Sequence, residues 1–265
     1  MALCRLPGAG AWLTAPPVED GREIDAPLFK VAVKRRLRAA VFDEEGFCPC
    51  CGGVLDRWGD HALVCPCWGD RTIRHNAVRD LCLEVAVACG GRSDREQAEL
   101  LPPRPETDGL PITQAACRPA DVWLPRGSTG RGEALDFAVS SGMRADLFRE
   151  ASRTPEEVFA RYERHKRQHL QTAQVCETAG FKFVPMVLES HAGGWSPTAR
   201  GVLDWIAQQV SATQHEEAHN ISLRIAQRMS CTLHRENARA VLRRTVVVGP
   251  PPQLGGWGSV GDVWQ

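Results

Sequence analysis

The chain has 265 residues, 43% apolar and 24% charged, a length for one good-sized domain with a small appendage or two modest ones. Its 32 basic and 32 acidic side chains cancel, which excludes coating nucleic acid by bulk charge, since such domains have a pI above about 9. No run approaches a membrane-spanning length of apolar residues, so a chain with no membrane contact is expected.

Residues 1–23 are rich in Gly, Pro and Ala and read as a disordered lead-in without an apolar leader core. Residues 24–42 space apolar side chains at helical intervals around Lys34 and Arg35, predicting a short basic amphipathic helix. Cysteines crowd residues 48–67. A helix should begin with Asp70 as its cap, carry Arg74-His75-Asn76 near its start, and stop at Gly90-Gly91. An acidic, Pro-rich loop covers 93–118, with a short strand expected near 98–101. Residues 120–124 (ADVWL) and 133–140 (EALDFAVS) flank PRGSTGRG and read as a β-hairpin.

Thr154-Pro155 opens a helix expected to run through Lys166 to about Gly180. Residues 181–189 form a third strand, in which Pro185 implies an irregularity or an edge position. Ser196-Pro197 caps another helix, residues 219–244 a last basic one, and the tail from Gly249 reads as disordered. The expected division is a lead-in (1–23), a basic helix with a Cys/His module (24–68), an α/β core (69–217), and a basic helix with a tail (218–265).

Eleven cysteines without an apolar leader point to a reducing, intracellular setting, where clustered cysteines bind metal more often than they form disulfides. Cys48, Cys51, His61 and Cys65 have the spacing C-x2-C-x9-H-x3-C, which suits the tetrahedral thiolate and imidazole set that Zn²⁺ prefers. Gly52-Gly53 lets the backbone turn its N–H groups toward the sulfurs, and Trp58 can cover the metal. Cys50, Cys67 and His75 are spare candidates. Cys4, Cys82, Cys89, Cys117, Cys176 and Cys231 are scattered and read as core or bystander residues.

Asp121 and Asp136 each interrupt an apolar strand. A buried carboxylate costs several kcal/mol unless paired, and a divalent cation resolves two at once. Either Asp could equally end a strand and cap a loop. The pair resembles the PD-x(n)-D core of the PD-(D/E)xK nucleases, with Ala120 inserted after Pro119. Knuckle, Arg74-His75-Asn76 and Asp pair together, over roughly residues 45–190, resemble the C-terminal region of site-specific non-LTR retrotransposon proteins, where a zinc knuckle precedes a restriction-like endonuclease.

The resemblance implies a restriction-endonuclease-like core, a small mixed sheet flanked by helices, behind a zinc module. It implies structural zinc, catalytic Mg²⁺ at Asp121 and Asp136, and a nuclear DNA, or RNA, partner. The family lysine is expected two residues after the second acid, where this chain has Ala138; Lys166, one turn beyond Tyr162, is the candidate substitute. Arg74 and His75, with Lys34 and Arg35, are candidate phosphate contacts. The rival reading is a catalytically inactive zinc module of retroelement origin that binds nucleic acid or protein; Ala138 and the zero net charge favour it.

Overall fold

The computed structural model describes residues 2–18, 20–89, 92–102 and 119–245. The expected tail from Gly249 and Cys117 lie outside them. Strands β3 (Asp94–Arg95), β4 (Val122–Leu124), β5 (Glu133–Ser140) and β6 (Lys182–Glu189) form one sheet in that order. The predicted hairpin is present: β4 and β5 pair antiparallel, Val122 opposite Leu135. Strands β5 and β6 run parallel from Glu133↔Lys182 to Ser140↔Glu189. Pro185 stands on β6, an edge strand, where a missing ladder donor is tolerated. The expected strand near 98–101 is absent; β3 lies earlier, at Asp94–Arg95.

The alternation of β5 and β6 sorts their side chains between two helical layers. Leu135, Phe137, Val184, Met186 and Leu188 face α3 (Asp70–Val87), α7 (Pro197–Gln214) and α8 (Ala218–Leu242). On the other side, Ala138 and Val187 meet α4 (Phe148–Arg153) and α5 (Glu157–Gln168), while Ala134 and Phe183 meet Cys176 on α6 (Thr172–Thr178). The chain is thus a mixed α/β fold whose small sheet is flanked by helices. Among the described residues no helix is long and apolar enough to cross a membrane.

Helix α7 starts as expected, with Ser196 Oγ accepting the Ala199 N–H at 3.2 Å. Three further expectations need correction. The helix predicted from Thr154 to Gly180 breaks after α5, because Leu170 (φ 50°) and Gln171 (φ 54°) adopt left-handed conformations that an α-helix cannot continue. No Gly or Pro marks that break. Asp70 does not cap α3: Gly69, at φ 69°, takes that position, and Asp70 is the first helical residue.

The third correction concerns the lead-in, which is ordered and packed. It forms 3₁₀ turns at Ala2–Arg5 and Ala11–Leu13, and Leu3, Leu6 and Trp12 are buried. Leu3 and Leu6 close the layer over α4 and α5. Trp12 lies against Phe29 of α1 (Ala26–Arg36), ring centroids 5.5 Å apart, and against His234 of α8 at 4.8 Å. Gly and Pro supply the turns that allow this, so a composition suggesting disorder here encodes tight loops. Leu28 and Val31 of α1 pack on Ala238 and Val241 of α8, so the segments 24–68 and 218–242 share a core. Trp12→Ala should destabilise the protein by about 3–5 kcal/mol in urea unfolding; unchanged stability would restore the disordered lead-in.

Candidate metal centre and carboxylate site

The two-stranded ribbon of β1 (Gly46–Phe47) and β2 (Val54–Leu55) folds the first cysteines into a knuckle. Cys48 N–H donates to the Gly53 carbonyl at 2.7 Å, and Gly52, at φ 71°, closes the turn. His61 and Cys65 follow on α2 (Asp60–Val64) and at its end, anchored by Asp56, whose carboxylate accepts the N–H groups of Trp58, Asp60 and His61.

Cys48 and Cys65 sulfurs lie 3.8 Å apart, those of Cys51 and Cys65 3.7 Å, and Cys51 Sγ is 3.2 Å from His61 Nε2. All four ligand atoms fall within 4.8 Å of one another. A tetrahedral ion with Zn–S bonds of about 2.3 Å sets its sulfurs about 3.8 Å apart, so the cluster could hold a metal such as zinc. A side chain at Gly53 would press on His61 Cε1 at 3.0 Å and Cys51 Sγ at 3.4 Å, which explains the glycine. Burial raises the Cys48 thiol, but the backbone N–H groups of Cys50 and Cys51 outweigh it and bring it down to about 6. Trp58 packs under the Arg38 guanidinium, 4.8 Å from the ring centre.

The second site sits where β4 meets β5. One residue before Val122 the ladder breaks: Asp121 N–H donates to the Leu135 carbonyl at 2.8 Å, and the Asp121 carboxylate accepts the Phe137 N–H at 2.6 Å. That bond holds Asp121 beside Asp136. His75, the sixth residue of α3, brings Nε2 to 3.3 Å from Asp121 Oδ2. From the opposite layer, Lys166 of α5 places Nζ 2.9 Å from Asp136 Oδ2 and 3.2 Å from Oδ1. Asp136 Oδ2 is buried, and although the ammonium is close it receives no well-aligned hydrogen bond. The Tyr162 ring lies 5.9 Å from Nζ.

Burial pushes the Asp136 carboxyl up to about 6; Lys166 opposes the rise and the nearby Asp121 charge adds to it. Burial lowers the Lys166 pKa, but Asp136, Tyr162 and Asp121 together outweigh it and the net shift is upward. Asp121, Asp136 and Lys166, separate in sequence, are thus brought together, and His75 joins them.

Two of the predicted phosphate contacts are buried instead. Arg74 is buried, donating to Asn237 Oδ1 at 3.0 Å and the Leu63 carbonyl at 3.1 Å, so it cannot meet a phosphate from solvent. Nor does it stand at a helix start; it is the fifth residue of α3. Arg35 is also buried, against the Trp58 carbonyl at 2.8 Å and Asp60 at 3.3 Å. Lys34 is half-buried on α1, and His75 serves Asp121. Sequence reasoning missed Asp70, Trp68 and Arg244, which lie by the cysteines: Arg244 Nη1 donates to Asp70 Oδ2 at 2.7 Å, and its guanidinium stands 5.6 Å from the Trp68 ring centre. A basic run does not announce that one of its members is buried.

No protein-family model matches the chain, and no curated protein matches it in sequence.

Metal analysis of the purified chain should find one zinc, retained in Cys50→Ser and Cys67→Ser and lost in Cys48→Ser and Cys65→Ser; retention in either ligand variant would reassign the site. Asp136 gives a second check. Its unfolded form releases the proton near 3.8 while the folded form holds it to about 6. In that window the folded state binds more protons, so this group's contribution to stability falls as pH rises. The stability of the metal-free protein relative to Asp136→Asn should therefore decline between these values in urea titrations; a flat difference would contradict it.

Proposed function

We propose that the chain is a metal-dependent DNA endonuclease of retroelement origin, with the Cys48, Cys51, His61 and Cys65 group a structural zinc centre. The supporting observation is that Lys166 reaches Asp136 from a separate helix, beside Asp121, supplying the lysine that position 138 lacks. Two acids and a lysine on a small mixed sheet flanked by helices are the set that the restriction-like resemblance implies.

The residues fit a hard divalent cation: the Asp121 charge acts on Asp136, and one buried oxygen, Asp136 Oδ2, lacks an aligned donor. Mg²⁺ bound there would polarise the phosphoryl oxygen and lower the pKa of a water. Lys166 would orient the attacking oxygen and offset charge on the phosphate. His75 holds Asp121 and carries a nitrogen able to take or give a proton. The reading includes DNA, or RNA, as partner and the nucleus as the place of action.

The Lys166–Asp136 ion pair also favours a second reading, an inactive module in which the lysine replaces the cation. Nicking of supercoiled plasmid with Mg²⁺ separates them. Asp121→Ala, Asp136→Ala and Lys166→Ala should each lower the rate by roughly 10²- to 10³-fold. Equal nicking by an Asp121→Ala, Asp136→Ala double variant would overturn the endonuclease.

A further inference from the structure

Three groups outside the acid site invite a role. Around residues 190–195 lies a knot of buried polar atoms; both His191 ring nitrogens, His234 Nε2 and Ser230 Oγ lack protein partners. Ordered water satisfies such groups, and no ligand is indicated there. Cys50 and Cys67 flank the metal ligands in twin Cys-Pro-Cys runs, but burial raises both thiols, which works against reactivity. The third is Arg244, which follows α8 and is buried.

The Arg244 side chain is fully buried and Asp70 nearly so, with 0% and 4% exposed. Nη1 is spent on Asp70 Oδ2 at 2.7 Å and on the Ala240 carbonyl at 2.5 Å. Nε and Nη2 have no aligned hydrogen-bond partner. A buried guanidinium with idle donors is costly, so its surroundings must supply another acceptor. Cys65 and Cys48 are the acceptors within reach: their sulfurs act on the Arg244 side chain alongside Asp70.

Three thiolates and a neutral imidazole around Zn²⁺ leave one excess negative charge, buried with Cys48 and Cys65. Asp70 adds another, and it is met by Arg243 as well as Arg244. The two guanidiniums therefore match the two anions.

We propose that Arg244 is the outer-sphere counter-cation of the zinc centre, holding the thiolates of Cys48 and Cys65 while Asp70 holds it. It is a positioning residue: it orients ligands without touching the metal. The two halves of the cluster and the end of the last helix, 179 residues from Cys65, are then joined through one side chain. The proposal rests on reading the four ligands as a zinc centre.

The test is zinc affinity of the full chain by competition with a chromophoric chelator. Outer-shell partners of metal ligands are worth roughly 10- to 100-fold in affinity, and Arg244→Met should lose that much. Arg243→Met, which removes an Asp70 contact from a side chain 39% exposed, should bind zinc nearly as tightly as the parent chain. Arg244→Lys, keeping charge without the fork, should fall between. With Co²⁺ as probe, the thiolate charge-transfer band should shift in Arg244→Met and not in Arg243→Met. Unchanged affinity in Arg244→Met, or equal losses in both variants, would overturn the proposal while leaving the zinc centre standing. If Arg244→Met does not fold, Arg244→Lys binding as tightly as the parent chain does the same. A parent chain that takes up no zinc would remove the centre and the proposal together.

Discussion

The Phe137 N–H lies in β5, where a neighbouring backbone carbonyl would ordinarily meet it. Here the Asp121 carboxylate accepts it at 2.6 Å. This substitution of side chain for backbone lets β4 begin late without leaving a sheet donor unpaired. It also removes the freedom that two adjacent carboxylates would otherwise use to separate. Asp136 is left beside a fixed negative charge in a poorly hydrated place, and a cation becomes a requirement of the fold. Lys166 meets that requirement in this structure. Everything distinctive about the site, including the rise of Asp136 to about 6, follows from that one fixed neighbour and from burial.

Helix α8 imposes the second large constraint. Ile221, Ile225, Met229 and Leu233 recur every fourth residue and meet the sheet layer. Ala238 and Val241 meet α1 and α2, while Cys231 meets Trp12. A helix covered on so many sides must also bury polar residues, and Asn237 shows how. It accepts from Arg74 and donates to the Ser190 carbonyl at 2.8 Å, joining α3, α8 and the loop after β6. His191 and His234 are each pushed down to about 3, burial being the main cause, so both stay neutral inside. Glu189 organises the same loop, its buried carboxylate accepting N–H groups of Gly142, His191 and Ala192.

How much of this was legible depends on whether each signal is local. The hairpin, the edge strand with Pro185 and the Ser196 cap were readable because period-two alternation, a missing donor and a capping hydroxyl act over a few residues. The four residues that could hold a metal were readable because they lie within 18 consecutive residues and a tetrahedral metal's geometry limits their spacing. The break at Leu170 and Gln171 was not, since neither residue type favours a left-handed turn and the apolar spacing continues across it. Arg35 and Arg74 were misread for a related reason. A guanidinium in a basic run looks solvated until a distant carbonyl or amide, such as Asn237, is brought to it. The lead-in failed through composition, because Gly and Pro serve a packed turn as well as a disordered segment.

The placement of Lys166 bears on how such a site tolerates change. A lysine two residues past Asp136 would project from the same strand and face as the acid, where Ala138 now packs against Val187 and the helices. That layer is closed by Leu3, Leu6, Ala151 and Phe159, leaving little room for a long cationic stem. Moving the ammonium to α5 lets the stem lie beside Tyr162 and leaves the strand free to pack. Charge position is what the acids require, and the backbone that supplies it can change. The absence of a lysine at position 138 therefore carries less weight against chemistry here than its absence from the space around Asp136 would have carried. That space is filled.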